Sequence, residues 1–364
     1  MSHIVVVGAG IVGLSVSRAA LLHGHQVTLL EQGTVANPQA ASYDQHRMIR
    51  YQYGDAEGYT RMVGGAFNAW DRLWDDLGVR HFANTGALGI SQSAEDYTAQ
   101  SLRTFRKLGI AHDVLDRDAV ERTCPQLDLP EKSWGLLAPA GGALFASRIV
   151  DDLNQWVSAR GIETLAHRRV TQVDRERGMV GFADGSTISG DLVVIAAGAW
   201  LPELLQDYAG ISTFRQAVCY VEPPEEYLDA WRGGPCLTDL GSGDNYAIAP
   251  VDGTGLKFGS GSHRKPGRPN DGFDSTILEG DEVIGRFSSF LRQSTRYKPI
   301  RMQVGYYVKD GSARFRIESR GRTVVVTNCD GQMFKFGPLI GERVVSCFEG
   351  RRSAAELNRW AAGY

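Results

Sequence analysis

An apolar run at residues 4–7 leads directly into a Gly-x-Gly-x-x-Gly turn at Gly8, Gly10 and Gly13. Apolar residues then recur at helical spacing, and a second apolar run follows at residues 26–30. This succession predicts a buried strand, a tight turn, a helix and a second parallel strand. We therefore expect an α/β fold that begins with a Rossmann-like unit.

The glycine spacing in this turn fits the binding of a dinucleotide. Gly8 permits the tight turn, Gly10 lets backbone N–H groups approach a pyrophosphate, and Gly13 lets the helix pack closely on the strand. Glu31 ends the second strand 18 residues after Gly13, where its carboxylate can accept hydrogen bonds from a ribose. The predicted dinucleotide contacts in this region are Gly8, Gly10, Ile11, Val12, Gly13, Glu31 and Gln32.

A later segment favours FAD over NAD as that dinucleotide. Residues 181–186 carry a hairpin signal, and an apolar run at 192–195 ends in small residues up to Gly198. A late buried strand of this kind, which returns to the cofactor beside the first strand, is typical of two-dinucleotide-fold flavoproteins. The predicted FAD contacts from this part of the chain are Val170, Ala197, Gly198 and Trp200.

The length of 364 residues suits about two domains. Patterns of the cofactor-binding type occur at residues 1–80, 147–212 and 316–364, whereas residues 81–146 and 213–315 are richer in extended, aromatic and turn sequence. We therefore expect an FAD-binding domain interleaved with a sheet-rich substrate-binding domain, in a mixed α/β (α+β) fold.

Composition excludes several classes of protein. A net charge of −3 and a charged fraction of 22% give no polyelectrolyte character, so nucleic acid is not an expected partner. No apolar run reaches the roughly 18 residues that a membrane span needs. The five cysteines are odd in number and form no Cys-x-x-Cys pair, which predicts neither a disulfide framework nor a metal site and favours a cytoplasmic location.

Three separated segments carry a family resemblance. Residues 43–54, 255–259 and 331–336 resemble, in the same order, the monomeric sarcosine oxidase and N-methyltryptophan oxidase family of D-amino-acid-oxidase-like flavoproteins. The resemblance runs over nearly the whole chain. It implies an FAD-dependent oxidase that acts on the CH–NH or CH–NH2 group of a small amino acid, or N-substituted amino acid, with a carboxylate, and that passes electrons to O2.

The resemblance also implies roles for individual residues. Arg50 and Lys335 are expected to hold the substrate carboxylate, a task that suits a guanidinium fork and an ammonium. Lys257, one of only seven lysines, matches the cation that stabilises the anion formed as O2 is reduced. Tyr307 matches an active-site tyrosine, and Arg47 is expected over the flavin or in the pocket wall. Tyr51, Tyr246 and Met333 are predicted walls of the substrate pocket, and Gly331, Gln332, Met333, Phe334 and Lys335 are predicted FAD contacts.

Two departures from the family pattern limit what the resemblance implies. Gly305 occupies the position of the family's flavin-linking cysteine, so we predict noncovalent FAD, with Cys329 as the one conceivable substitute. The family's catalytic-region histidine falls on Gly261 by direct count, while His263 lies two residues further on. His46 and His263 are candidates for the contact to the amine, although a simple loop role is the stronger expectation for each.

The expected reaction transfers a hydride equivalent from the carbon beside a neutral amine to the flavin, which gives an imine, and O2 is then reduced to H2O2. Two alternatives stay open at this point. An FAD-dependent dehydrogenase of a D-amino acid or 2-hydroxy acid, passing electrons to a quinone or other acceptor, keeps Arg50 but does not need Lys257. A noncatalytic FAD-binding subunit needs neither residue.

Overall fold

The structure, a computed structural model, describes residues 1–208, 210–241 and 244–364. Its α-helices are α1 (Ile11–Leu22), α2 (Glu57–Leu77), α3 (Tyr97–Leu108), α4 (Arg117–Thr123), α5 (Ala146–Ser158), α6 (Leu201–Leu204), α7 (Leu228–Gly233), α8 (Ile277–Gly285), α9 (Gly337–Phe348) and α10 (Ala354–Ala361). Its strands are β1 (His3–Val7), β2 (Gln26–Leu30), β3 (Arg47–Ile49), β4 (Phe82–Ala83), β5 (Ala87–Ser91), β6 (Asp113–Asp116), β7 (Trp134–Ala138), β8 (Gly142–Leu144), β9 (Glu163–Leu165), β10 (Val170–Asp174), β11 (Met179–Phe182), β12 (Thr187–Ser189), β13 (Leu192–Ile195), β14 (Ser212–Glu222), β15 (Cys236–Leu240), β16 (Asn245–Ile248), β17 (Leu256–Ser260), β18 (Lys265–Pro266), β19 (Lys298–Lys309), β20 (Arg316–Arg320) and β21 (Thr323–Thr327).

The first large sheet carries the predicted dinucleotide turn. Its described strands are ordered β20-β21-β13-β1-β2-β9, all parallel except β20. Alternate residues of β1 face opposite layers: Ile4 and Val6 pack with α1 and α5, whereas Val5 and Val7 pack with β10, β11 and α6. Because both faces are covered, these strands are apolar at nearly every position.

The second large sheet presents the polar side chains of the candidate site. Its described strands are ordered β18-β14-β17-β16-β15-β5-β7-β6, and β19 pairs antiparallel with β14 from Ser212 opposite Lys309 to Glu222 opposite Lys298. Aromatic residues such as Trp231, Phe258 and Phe287 fill the core behind it. The sheet thereby brings residues of β15, β16, β17 and β19 to one cavity.

The segments of each sheet follow the predicted ranges closely. The described strands of the first sheet lie within residues 1–80, 147–212 and 316–364, and those of the second within 81–146 and 213–315, except that β14 begins one residue earlier. A small sheet, β3-β8-β4, joins the two sets of segments. The division into two domains itself stays a prediction. None of the described helices is long and apolar enough to cross a bilayer.

Candidate active site

A cavity of about 380 Å³ opens at the carboxyl ends of β1, β2 and β13, where the N-terminus of α1 faces it. Open α/β sheets bind ligands at this edge. The predicted cofactor contacts that line this cavity are Gly8, Gly10, Ile11, Val12, Glu31, Gln32, Arg47, Val170, Ala197, Gly198, Trp200, Gly331, Met333 and Phe334. Gln332 and Lys335 instead line a second, neighbouring cavity. Gly13 lines neither, because it packs inside the turn.

The glycines of the turn leave room for a ligand against the backbone. A Cβ on Gly13 would lie 1.8 Å from the Gly8 carbonyl oxygen, so this position needs glycine for helix–strand packing. Gly8 has a φ of +101°. A Cβ on Gly198 would meet nothing within 4 Å, which leaves the end of β13 open to the cavity. These residues and the helix N-terminus fit the pyrophosphate of a dinucleotide such as FAD.

The carboxylate of Glu31 braces this turn. It accepts hydrogen bonds from the Ala9 N–H at 2.9 Å, the Gly33 N–H at 3.0 Å and the Asn37 side-chain amide at 3.4 Å. A carboxylate has about four acceptor positions. Glu31 can therefore also accept from a ribose, while it orders the loop that covers the cavity. Neither Asn37 nor Ser42 is part of a recognisable sequence motif. The Ser42 hydroxyl accepts a hydrogen bond from the Ile11 N–H at 3.0 Å.

The second cavity, of about 410 Å³, adjoins the first. Both are lined by Ala40, Ala41, Arg47, Tyr307, Gly331 and Phe334, so they share a wall. The predicted residues that line the second cavity are Arg50, Tyr246, Lys257, Gly305, Tyr307, Gln332 and Lys335, together with Gly261. A molecule in this cavity would lie directly beside a cofactor in the first.

Two predicted substrate contacts lie elsewhere. Tyr51 lines neither cavity, because its ring stacks on Phe67 at 5.5 Å between centroids and meets Phe105 edge-on at 6.4 Å. Met333 lines only the first cavity, with the predicted cofactor contacts, and does not reach the second cavity, where a substrate wall is expected.

The two candidate histidines also lie outside both cavities. His46 is completely buried, and its Nε2 lies 3.0 Å from the Gly255 carbonyl oxygen. The Nε2 of His263 lies 3.3 Å from Oε1 of Glu279. Both rings therefore serve local packing, in line with the expected loop role, and neither contacts the cavity.

Arg50 and Lys335 are held side by side by tyrosines. The Arg50 guanidinium donates to the Tyr97 hydroxyl at 2.8 Å and lies 4.8 Å above the Tyr53 ring. The Lys335 ammonium donates to the Tyr53 hydroxyl at 2.9 Å. Tyr97 donates in turn to the Gln52 carbonyl at 2.8 Å. Neither cation has a carboxylate partner among the described residues.

Burial disfavours the charged form of Lys335. Removal from water and the neighbouring charge of Arg50 hold the pKa of Lys335 well below its usual range, and Asp330 only partly offsets them. The charged form of Lys335 is therefore favoured when an anion enters the cavity. Two adjacent cations that lack a protein carboxylate form a receptor for a carboxylate ligand.

Lys257 forms a buried cluster with Asp44, a residue whose role the sequence did not reveal. The Lys257 ammonium donates to Oδ2 of Asp44 at 2.9 Å and to the His46 carbonyl. Arg47 donates to the same Asp44 oxygen, and the Tyr220 hydroxyl donates to the other at 2.5 Å. One carboxylate thus holds two cations, which leaves the cluster with net positive charge beside the wall shared by the two cavities.

The pKa values in this cluster follow from burial and charge. Burial alone raises the pKa of Asp44, but Lys257 and Arg47 outweigh it and hold that pKa well below its usual range. Burial lowers the pKa of Lys257 to about 8, although Asp44 opposes the shift and Arg47 adds to it. Lys257 therefore changes charge just above neutral pH.

Comparison with known proteins identifies the family. The family described as FAD dependent oxidoreductase matches residues 3–346. The chain belongs to this family. Monomeric sarcosine oxidase from Bacillus sp. (strain B-0618) is 23% identical over 352 residues, with 93% of this chain and 90% of that protein covered. N-methyl-L-tryptophan oxidase from Yersinia pestis is 23% identical over 358 residues, covering 93% and 92%.

Solved structures show the same fold. A modified fructosyl peptide oxidase from Aspergillus nidulans has a TM-score of 0.83 at 20% identity and covers 100% of this chain and 93% of its own. NikD, an amino acid oxidase essential for nikkomycin biosynthesis, has a TM-score of 0.81 at 21% identity, covering 99% and 97%. The predicted mixed α/β fold, the family resemblance and the identification as an FAD-dependent oxidoreductase are therefore confirmed.

Proposed function

We infer that this FAD-dependent oxidoreductase is an oxidase of an amino acid or N-substituted amino acid. The observation that carries the proposal is the pair formed by Arg50 and Lys335. This pair lines the second cavity, which adjoins the first, and neither side chain forms an ion pair with a carboxylate among the described residues. A substrate carboxylate held there would set the neighbouring amine beside the shared wall. The substrates named in the relatives, sarcosine and N-methyl-L-tryptophan, have this arrangement of carboxylate and amine.

When bound, FAD would supply an acceptor for the hydride equivalent from the carbon beside the amine, which would leave an imine, and a route for the two electrons to O2, giving H2O2. The first cavity would hold it through the glycine turn and Glu31. An amine with a free pKa of roughly 10, like that of lysine, must lose its proton first. Arg50 and Lys335 favour that loss because like charges destabilise an ammonium. Tyr246 and Tyr307 form walls around the substrate.

Lys257 is the residue that favours oxygen as the acceptor. Its ammonium lies buried at the second cavity, where a fixed cation stabilises the anion formed during O2 reduction. The Asp44 cluster orients this ammonium without neutralising its surroundings, because Arg47 supplies a second positive charge.

A dehydrogenase is the second candidate, and the ion pair of Lys257 with Asp44 favours it. A carboxylate at 2.9 Å weakens the field that the Lys257 ammonium exerts on an incoming oxygen species. Such an enzyme would reduce its flavin in the same way but would need another electron acceptor.

Anaerobic mixing of the holoenzyme with N-methyl, cyclic and primary amino acids tests the proposal. We expect at least one to remove the visible absorbance of the flavin, and admission of air to restore it rapidly with one H2O2 per turnover. Lys257→Met should slow the recovery and leave the anaerobic step intact. Slow recovery in the parent protein would favour the dehydrogenase, and no bleaching by any compound would reject both candidates.

A further inference from the structure

The second cavity contains a carboxylate that the proposed chemistry does not use. Two of the other carboxylates that line it have cation partners: Asp44 pairs with Lys257 at 2.9 Å, and Asp330 pairs with Lys309 at 3.0 Å. Asp239, on β15, has no ion pair in the described part of the chain. The backbone of the neighbouring Leu240 hydrogen-bonds to its carboxylate.

Asp239 is buried and yet open to the cavity. Its exposed fraction is 7%, and it is one of the residues that line the cavity wall. Burial, reinforced by the negative charges of Asp244 and Asp96, raises the pKa of Asp239 to about 6, and Arg50 acts in the opposite direction. Because a buried carboxylate without a cation is costly, a positively charged ligand group would be stabilised here.

Asp239 and Asp244 take no part in the wall that the two cavities share. They line the second cavity but not the first, whereas Arg47 and Tyr307 line both. Arg50 is close enough for its charge to interact with Asp239 and Asp244, so one cavity presents a receptor for an anion next to a receptor for a cation.

We propose that Asp239, supported by Asp244, binds a positively charged group on the side chain of the substrate, an ammonium or a guanidinium, while Arg50 and Lys335 hold its carboxylate. This inference rests on the proposed function and deepens it by naming a substrate class, the basic amino acids and their N-substituted derivatives. A neutral polyol side chain is disfavoured, because Asp239 and Asp244 together supply negative charge that hydroxyl groups do not balance.

Binding can be measured apart from turnover with ligands that have no α-amine. The series runs from β-alanine to ω-aminohexanoate, each compound paired with the unsubstituted carboxylate of the same length, and the change in flavin absorbance of the holoenzyme reports binding. We expect the ω-amino member of best length to bind at least about tenfold tighter than its partner, the range for a hydrogen bond to a charged group.

Asp239→Asn should abolish this preference. Asp229→Asn, at a side chain 98% exposed to solvent, is the matched control that should retain it. A preference that is absent, or that survives in Asp239→Asn, overturns the proposal.

Turnover provides the second readout. Racemic Nα-methyllysine and Nα-methylnorleucine differ in the terminal ammonium, and we expect Asp239→Asn to lower kcat/KM at least about tenfold for the first and to leave the second unchanged. Equal loss for both would mean that Asp239 contacts the reacting amine, and would overturn the proposal. Preference for an amine with a neutral polyol side chain, unaffected by Asp239→Asn, would overturn it as well. If no amino acid of the panel, these two compounds included, bleaches the flavin but the binding preference depends on Asp239, the proposed oxidase function fails and the cation subsite stands.

Discussion

Asp44 links Arg47, in the wall shared by the two cavities, to Lys257, which lines only the second cavity. This contact affects the positive charge presented to the second cavity. It lies 213 residues before Lys257 in the chain, yet its carboxylate touches the ammonium directly. Because Asp44 raises the pKa of Lys257 while burial lowers it, the charge of Lys257 at neutral pH depends on this one contact. Asp44 is a positioning residue in the proposed oxidase.

The rate at which O2 reoxidises the reduced enzyme should follow the protonation of Lys257. With a pKa of about 8, Lys257 is cationic below that pH and neutral above it, so the reoxidation rate constant should fall as pH rises through about 8. Asp44→Asn removes a contact that favours the cation, and should move this fall to lower pH. Stopped-flow mixing with oxygenated buffer across pH measures both. A rate constant independent of pH in the parent would contradict this role.

The absence of a cysteine at position 305 predicts that FAD is not covalently bound. A Cβ on Gly305 would meet nothing within 4 Å, so the backbone there faces open space, and Cys329 lines the cofactor cavity from another direction. Acid precipitation should leave a colourless pellet and a yellow supernatant. A yellow pellet would refute the prediction, and its loss in Cys329→Ser would assign the bond to that sulfur.

At the level of elements, the cofactor site depends on close packing of α9 against α1. A Cβ on Gly341 of α9 would lie 2.4 Å from the Ser15 carbonyl oxygen, and one on Gly337 would lie 2.5 Å from Ile11. Helix α1, whose N-terminus faces the first cavity, is thus held by close contact with α9, near the C-terminal part of the chain. Displacement of α9 would shift both Ile11 and the turn before it.

Gly341→Ala should therefore destabilise the holoprotein. The added methyl group has no space, and overpacking of this kind costs about 1–3 kcal/mol. Gly285→Ala is the control, because Gly285 is likewise a helical residue, the last of α8, but its Cβ would meet nothing within 4 Å. Thermal unfolding should show a lower Tm for Gly341→Ala and an unchanged or slightly higher Tm for Gly285→Ala. Equal Tm values for the two variants would refute the packing argument.

For the whole molecule, the chain crosses repeatedly between the two large sheets, and their residues meet at the two cavities. Gly8, in the turn after β1 of the first sheet, and Tyr307, on β19 of the second sheet, both line the first cavity. A cofactor bound there contacts segments that are distant in sequence. It should stabilise the complete fold rather than one local turn.

Removal of FAD should accordingly lower the Tm of the whole chain in a single transition. A ligand that binds only the folded state adds about 4 kcal/mol of stability at a concentration a thousand times its Kd. Differential scanning calorimetry of apoprotein with increasing FAD should show Tm rising with FAD concentration. A transition of the second sheet that does not respond to FAD would contradict this coupling.

Local patterns in the sequence predicted the parts of the site that depend on neighbouring residues. The spacing of Gly8, Gly10 and Gly13 indicated both the turn and the packing of α1, because those contacts lie within a few residues. The roles of Asp44 and Asp239 could not be predicted from local sequence, because residues distant in the chain form their surroundings. Tyr51 follows Arg50 in sequence, but its ring packs against Phe67 and Phe105 and it lines neither cavity, which a local pattern does not indicate.

In the proposed oxidase, Arg50 and Lys335 hold a substrate carboxylate beside FAD. Anaerobic mixing of the holoenzyme with an N-methyl amino acid, or with its N-methylamide, which lacks the carboxylate, measures this role. We predict rapid loss of the flavin's visible absorbance with the acid. With the amide at equal concentration, the rate of bleaching should be at least about a hundredfold lower, because the amide cannot form charged hydrogen bonds with Arg50 and Lys335. Equal rates of bleaching by the acid and the amide would contradict the carboxylate-binding role of Arg50 and Lys335.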